Sequence, residues 1–352
     1  MITSFAGKEI TGVLSVLPEN EYIFEDEIEE PEAIKARRLK RIMGYGKRRR
    51  VKGDTTLSQM FLYGIEYLLD GGKLKKEDIG AIVVVTLSPD YFLPQISTIL
   101  HGELGLSNEV ICVDIPQACA GYAVGMMQAF MLLEHIPEKK VVFCTGDIFN
   151  RKSSDDEPRS SYPRYGGDIA NISIVENSDR NKNIVYSCYM DGGNRSYLKI
   201  HDGGFKNPMT IDKIQKQKSN LPFMRVDMDG SSVFNFVQKE VPPAIEEIVA
   251  KAGKKMDDID LFLFHQPNKF MLQKLAERLK IPFEKLPMDI VEKLGNSNSG
   301  TIPAVMTTDV SEQLLDGYKL CCISGFGAGL AWASMVMEIG NLDFCENIIS
   351  NL

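Results

Sequence analysis

Only one of the 352 residues is tryptophan and four are histidine, and the seven cysteines include no Cys-x-x-Cys pair. An odd number of cysteines without that spacing excludes both a disulfide framework and a four-cysteine zinc site. His101, His135, His201 and His265 show no helical metal-ligand spacing, so no metal is expected. Long apolar runs are also missing. The longest candidate, 122–133, is interrupted by Gln128 and falls short of the roughly 18 residues that span a bilayer. The first residues, MITSFAGKEI, lack the basic-then-apolar pattern of a signal peptide. These absences predict a soluble, reduced, cytoplasmic protein with no membrane partner. At 44% hydrophobic and 25% charged residues it has an ordinary globular balance, and its length suits about two domains.

Charge is scarce in one sign at a time. Residues 19–32 hold eight acids and no base, whereas residues 35–52 hold ten bases and no acid. The net charge is −8, and it would be −18 without the basic block. A basic patch on an acidic protein suggests a phosphate or acidic-partner site; equally, the block can pair with the acids just before it. Nucleic acid is not expected, because no recognition motif accompanies the charge.

Apolar, β-branched runs predict buried strands at 78–86, 110–115, 140–145, 259–264 and 319–324. Helical patterns lie at 57–69, 120–133, 233–252, 269–279 and 299–315. The alternation means an α/β architecture with mostly parallel pairing. Three matches share nearly the same spacing, two of them identical. Lys140-Val-Val-Phe-Cys-Thr-Gly resembles Lys319-Leu-Cys-Cys-Ile-Ser-Gly at an offset of 179, and Asp78-Ile79 precedes Asp258-Ile259 by 180. The run 118–121 (ACAG) precedes 297–300 (SNSG) by 179 again, each opening a helix after a strand. A common offset predicts an internal duplication, with halves 1–178 and 179–352. The polar, charged stretch 147–167 reads as a surface loop over a functional mouth, and 201–222 as a second irregular segment beside it.

Cys119 follows the strand pattern ICVDIP and begins a helix rich in small residues. Helix N-termini carry partial positive charge and free N–H groups, which favour a thiolate and so predict a lowered pKa. A small buried core cysteine is the competing reading. Cys112, Cys144, Cys321 and Cys322 lie inside strand patterns and read as core. His265 ends the strand pattern DLFLFH, at the carboxyl end where α/β folds place ligands. The run 295–303 (GNSNSGTIP) offers amide donors at a helix start. The run 325–334 (GFGAGLAWAS) has glycines that free backbone N–H groups for an oxyanion. A strand pattern follows those glycines, which excludes a dinucleotide fingerprint.

Together these segments resemble the thiolase-like condensing enzymes, most closely the β-ketoacyl-acyl-carrier-protein synthase III family. The resemblance runs through DIPQACAGY around Cys119, MDGSSVFNF at Met228, HQPN at His265, GNSNSGTIP and GFGAGLAWAS. It implies an α/β, internally duplicated α-β-α-β-α five-layer fold, and a homodimer with Tyr91, Phe92 and Leu93 near the neighbour's acyl pocket. Cys119 is implied as the acyl-accepting nucleophile, His265 and Asn296 as donors to the second thioester, and the N–H groups of Cys119 and Ala328 as the oxyanion hole. No permanently bound cofactor is implied; the substrates are acyl-CoA or phosphopantetheine-linked thioesters, and the partner is acyl carrier protein. Arg41, Lys47 and Lys269 are the implied contacts for carrier or CoA phosphates. The family's adenine-stacking tryptophan is missing, and its Gly-Asp-Gly-Ala-Gly-Ala reads Gly167-Asp-Ile-Ala-Asn-Ile. The expected reaction is decarboxylative Claisen condensation with malonyl carrier protein for a specialised acyl product. An acyltransferase to an alcohol or amine, a type III polyketide synthase and a non-condensing partner subunit are the alternatives.

Overall fold

The computed structural model describes residues 1–27, 33–148, 166–216 and 226–352. Most of the expected loop 147–167 and part of 201–222 lie outside the described residues. Strands run in chain order as β1 (Ile2–Phe5), β2 (Lys8–Pro18), β3 (Asn20–Ile23), β4 (Lys47–Arg50) and β5 (Ile79–Val85). Next come β6 (Ile111–Ile115), β7 (Lys140–Asp147), β8 (Ile169–Asn177), β9 (Ile184–Met190), β10 (Leu198–Ile200) and β11 (Val226–Met228). The last four are β12 (Leu261–Phe264), β13 (Tyr318–Gly327), β14 (Ala331–Gly340) and β15 (Phe344–Ser350).

Two sheets stack through the molecule. One has the order β15-β2-β8-β7-β5-β6, the other β1-β9-β14-β13-β12. The run β5-β7-β8-β2 and the run β12-β13-β14-β9 share the same directions: parallel, antiparallel, antiparallel. That correspondence is the three-dimensional form of the repeat at offset 179. The expectation of mostly parallel pairing is corrected, because both sheets are mixed. The β13–β14 connection is a tight turn, which can only join antiparallel neighbours; parallel pairing would need a long crossover. The expected halves each lend the other a strand: β1 pairs with β9, and β15 pairs with β2.

Helices fill three layers around the sheets. Gly121–Leu133 and Thr301–Thr308 lie between the sheets in a core that takes Val83, Phe143, Leu263 and Ile323 from both sides. A helix covered on both faces has little use for a polar stripe, which is why GYAVGMMQAFMLL is apolar nearly all round. Leu57–Asp70 and Ile96–Glu103 cover the first sheet, and Gly230–Lys251 and Lys269–Leu279 the second. The result is the five-layered α-β-α-β-α fold. Strand β5, IGAIVVV, is buried at every position, as a central strand with helices on both faces must be. The expected helix 299–315 is divided into Thr301–Thr308 and Ser311–Leu315, because Val310 leaves the helical region.

The acidic and basic blocks meet as a hairpin. β3 pairs with β4 antiparallel, placing Glu21 opposite Arg49. Lys47 and Arg49 both bridge to Glu21, at 2.8 and 3.6 Å, and Lys52 bridges to Glu19 at 2.8 Å. Arg48 and Arg50 turn inward and are buried.

The departure Gly167-Asp-Ile-Ala-Asn-Ile has a packing explanation. Asn171 is buried, accepts from Ser15 Oγ at 2.6 Å and donates to the Thr145 carbonyl at 3.1 Å. Gly300, at the start of the other central helix, makes the room. A Cβ there would lie 2.7 Å from Ile169 Cγ2 and 2.8 Å from Asn171 Nδ2. The bulk added on β8 is matched by a side chain absent from the facing segment.

Candidate active site

Cys119 sits just ahead of the helix Gly121–Leu133, on the loop leaving β6. Strand β13 passes so closely that a Cβ on Gly327 would lie 2.6 Å from Cys119 Cβ and 3.1 Å from Sγ. Gly325 is in the same position against the Cys119 carbonyl, at 2.9 Å. Glycines are therefore required for backbone approach to the nucleophile. Ala328 follows in the β13–β14 turn, where its carbonyl accepts from Gln117 Nε2 at 3.3 Å. That bond ties the turn to the segment carrying Cys119.

His265 leaves the end of β12, held by its N–H to the Ser324 carbonyl at 2.8 Å, and is 1% exposed. The Phe326 ring packs edge-on against the imidazole, with centroids 5.7 Å apart. Burial pushes its pKa down to about 3, against the opposing hydrogen bond to the Asn298 carbonyl, so the ring is neutral. Nδ1 lies 3.1 Å from the Asn298 carbonyl and 2.8 Å from Thr301 Oγ1. Two proton arrangements satisfy these contacts. When the Thr301 hydroxyl donates to the Asn298 carbonyl, at 2.9 Å, Nδ1 carries the proton and Nε2 is an acceptor. When the hydroxyl turns to donate to Nδ1, Nε2 carries the proton and becomes a donor. Among the described residues no hydrogen bond holds Nε2.

Asn296 precedes the central helix Thr301–Thr308 and is half-buried. Its Oδ1 accepts from the N–H of Asn298 at 3.0 Å, which leaves Nδ2 without a hydrogen-bond partner among the described residues. Asn298 is the residue that joins the others. Its backbone is left-handed, with φ of 50°, a region asparagine tolerates better than most residues. Its N–H meets Asn296, its carbonyl meets His265, and its Oδ1 accepts from Cys119 Sγ at 3.5 Å. Asn298 Nδ2 donates to Asp147 Oδ2 at 3.0 Å. The motif reading passed over Asn298 and Asp147. The signal for Asn298 was present, since it is the offset-179 counterpart of Cys119.

The expected lowering of the Cys119 pKa is corrected. Burial, with the Asp147 carboxylate adding to it, pushes the thiol up to about 12. Desolvation of the thiolate outweighs the favourable helix end, so the resting sulfur is a neutral S–H. The three implied phosphate contacts are not brought to this network. Arg41 is exposed on the helix Ala33–Met43, Lys47 pairs with Glu21, and Lys269 pairs with Asp289 at 2.7 Å. Asn268, the last residue of HQPN, caps the helix Lys269–Leu279 by accepting from Met271 N–H at 2.9 Å. Among the described residues no cluster of histidine, cysteine or acid could hold a metal ion, and no helix is long and apolar enough to cross a membrane.

The buried imidazole makes stability depend on pH. Unfolding frees a group that protonates near 6.5, whereas the folded ring resists protonation to about 3. The unfolded state therefore binds more protons in that window, and stability falls as pH drops below 6.5. At pH 5 the loss from this residue is about 2 kcal/mol relative to pH 7. Buried Asp147, its pKa raised to about 6, acts in the opposite direction over this window, so the His265 share is read as a difference: the change in urea stability from pH 7 to pH 5 is expected to be about 2 kcal/mol less favourable in the native protein than in His265→Gln.

A duplicated five-layer fold, with cysteine from one half facing histidine and asparagine from the other, defines a thiolase-like enzyme. Residues 249–339 match the family described as 3-oxoacyl-[acyl-carrier-protein (ACP)] synthase III C terminal. A putative 3-oxoacyl-[acyl-carrier-protein] synthase 3 of Campylobacter jejuni is 29% identical, covering 99% of this chain and 98% of that protein. The β-ketoacyl-[acyl-carrier-protein] synthase III of Lactobacillus helveticus is 28% identical, over 83% of this chain and 87% of its own. The crystal structure of the 3-oxoacyl-(acyl-carrier protein) synthase of Burkholderia xenovorans superposes with a TM-score of 0.90 at 27% identity, covering 99% of both chains. The C-terminal residues thus carry the synthase III family match, and the whole chain is similar to β-ketoacyl-acyl-carrier-protein synthases III.

Proposed function

We propose that the protein performs decarboxylative Claisen condensation, joining an acyl group carried on Cys119 to malonyl carrier protein for a specialised acyl product. The observation that supports this most directly is the convergence of Cys119, His265 and Asn296, from both halves of the chain, on Asn298. First, the Cys119 sulfur attacks the acyl thioester, the donor's carbon–sulfur bond breaks, and the donor thiol leaves with the proton. The N–H groups of Cys119 and Ala328 receive the oxyanion. Malonyl thioester then loses carbon dioxide, and the electron pair passes into an enolate whose oxygen takes donors from His265 Nε2 and Asn296 Nδ2. The enolate carbon attacks the acyl-enzyme, the bond to Cys119 sulfur breaks, and the released thiolate takes a proton from solvent. The proton on Nε2 corresponds to the arrangement in which Thr301 donates to Nδ1. No resident cofactor enters these steps; CoA or the phosphopantetheine arm is part of the substrate.

The donor is proposed to be carrier-bound. The single tryptophan, Trp332, is packed between Tyr189 and Phe236 and so cannot stack on an adenine at the entrance. For the carrier's acidic surface the exposed cations are Arg37, Arg38 and Arg41, whereas Lys47 and Lys269 are already ion-paired. A homodimer fits the same reading. Among the described residues β6 pairs only with β5, which leaves its other edge open there, and Tyr91, Phe92 and Leu93 stand 61–83% exposed.

The test supplies an acyl thioester together with malonyl carrier protein and follows both carbon dioxide and the carrier's mass. Condensation is expected to release one carbon dioxide for each 3-oxoacyl carrier formed. Acyl transfer to an added alcohol or amine without carbon dioxide would replace this reading with the acyltransferase one.

A further inference from the structure

Asp147 ends β7, two residues beyond Thr145, and is completely buried. Its two oxygens are used differently. Oδ1 accepts from Leu87 N–H at 2.7 Å, Thr86 Oγ1 at 2.9 Å and Ser88 Oγ at 3.1 Å. Oδ2 accepts only from Asn298 Nδ2 among the described residues, at 3.0 Å. A carboxylate cannot donate, so Asn298 must present its NH₂ to Asp147. Its amide oxygen is thereby turned to Cys119 Sγ, where it accepts the S–H at 3.5 Å. The orientation of this amide, often ambiguous, is fixed here by the fixed acceptor on one side.

The chemistry of that orientation is one-sided. An amide oxygen stabilises a thiol and opposes a thiolate, while an amide N–H would do the reverse. We propose that Asp147 and Asn298 act as a positioning pair for the nucleophile, in which the carboxylate sets the amide's direction and the amide oxygen holds Cys119 as a thiol until a thioester arrives. Cys119 and Asn298 are equivalent in the internal repeat, at offset 179, so each half contributes the start of its central helix to their contact. Among the described residues the ionisable groups meeting this network are Asp147 from β7 and His265 from the end of β12, and His265 is neutral. The inference rests on the proposed role of Cys119 for its meaning in catalysis, but it is measured on the thiol alone.

Asp147→Asn is nearly isosteric and turns the amide around. The Leu87 N–H still requires an acceptor at the first oxygen's place, so the new NH₂ group occupies the second and faces Asn298. Two NH₂ groups cannot face one another, and Asn298 must rotate to point its own NH₂ at the sulfur. The experiment is the rate of iodoacetamide alkylation of Cys119 in the full chain against pH, followed on the Cys119 peptide by mass. Alkylation forms the sulfur–carbon bond and expels iodide, and the thiol proton goes to the buffer. The midpoint is expected to fall by about one pH unit or more in Asp147→Asn. It is also expected to fall in Asn298→Ala, which removes the S–H acceptor. The same Asp147→Asn change made on Asn298→Ala is expected to shift the midpoint much less than it does alone.

An unchanged or raised midpoint in Asp147→Asn, with native circular dichroism, would overturn the proposal. Equal shifts with and without Asn298 would overturn the amide's part in it. Should Asp147→Asn fail to fold, Asn298→Ala decides by itself, and an unchanged or raised midpoint overturns the proposal. Failure of condensation with the alkylation shifts intact would sink the proposed function and leave this inference standing. Normal condensation without the shifts would do the opposite.

Discussion

Replacing His265 or Asn296 by alanine is expected to reduce carbon–carbon bond formation about 10²–10³-fold, the usual cost of one donor to a developing oxyanion. Acylation of Cys119 should persist within a few-fold, because among the described residues the sulfur hydrogen-bonds to Asn298 and to neither of these side chains. The split follows from the geometry. Both side chains hydrogen-bond the backbone of Asn298, whose own side chain bonds the sulfur. The double variant should lose far less than the product of the two single losses, since two donors to one oxygen act as a unit. Single-turnover acylation and steady-state condensation measured on the same preparations would check this. Parallel losses in both steps would mean that the two residues hold the nucleophile instead of the enolate.

The second large effect is expected at Gly327. A methyl group there meets Cys119 Cβ at 2.6 Å and Sγ at 3.1 Å, closer than packing allows. Either β13 or the cysteine must move. A displacement of about 1 Å at a nucleophile can cost 10²-fold in rate, so Gly327→Ala is expected to lose at least that much acylation. The overpacked site should also lower stability by about 1–3 kcal/mol. Acylation kinetics and a thermal melt read the two effects separately. Gly300→Ala serves as the comparison. Its new methyl group would meet Ile169 and Asn171 and leave Cys119 untouched, so it should lower the melting temperature more than it lowers acylation per folded molecule.

The parts of this site that were legible in the sequence are those carried by short motifs at element ends. Cys119 and His265 each follow a strand pattern, whereas Asn296 opens a helix pattern behind the short helix Ile290–Leu294 instead of a strand, and local sequence suffices to place them. The internal duplication was legible through the offset of 179, because equal spacing of strands and helices survives divergence of side chains, and the five-layer arrangement came with the family resemblance. What was hidden depends on partners distant in sequence. Arg48 and Arg50 read as part of a uniform basic block, yet strand alternation turns them inward while Lys47 and Arg49 face Glu21. Asp147 looked like the start of a polar loop, and its burial follows from the Thr86–Ser88 turn closing over it. The elevated thiol pKa was equally invisible. It comes from burial and from Asp147, neither of which a helix-start argument contains.

Every proposed step depends on Cys119 as the acyl carrier. Intact-protein mass after incubation with a panel of acyl-CoA and acyl-carrier thioesters tests it most directly, with Cys119→Ala as the control. The expected result is a gain of one acyl group in the native protein, no gain in Cys119→Ala, and a preference for carrier-bound donors. An equal gain in Cys119→Ala, or no gain from any thioester in protein that condenses malonyl carrier, would contradict it.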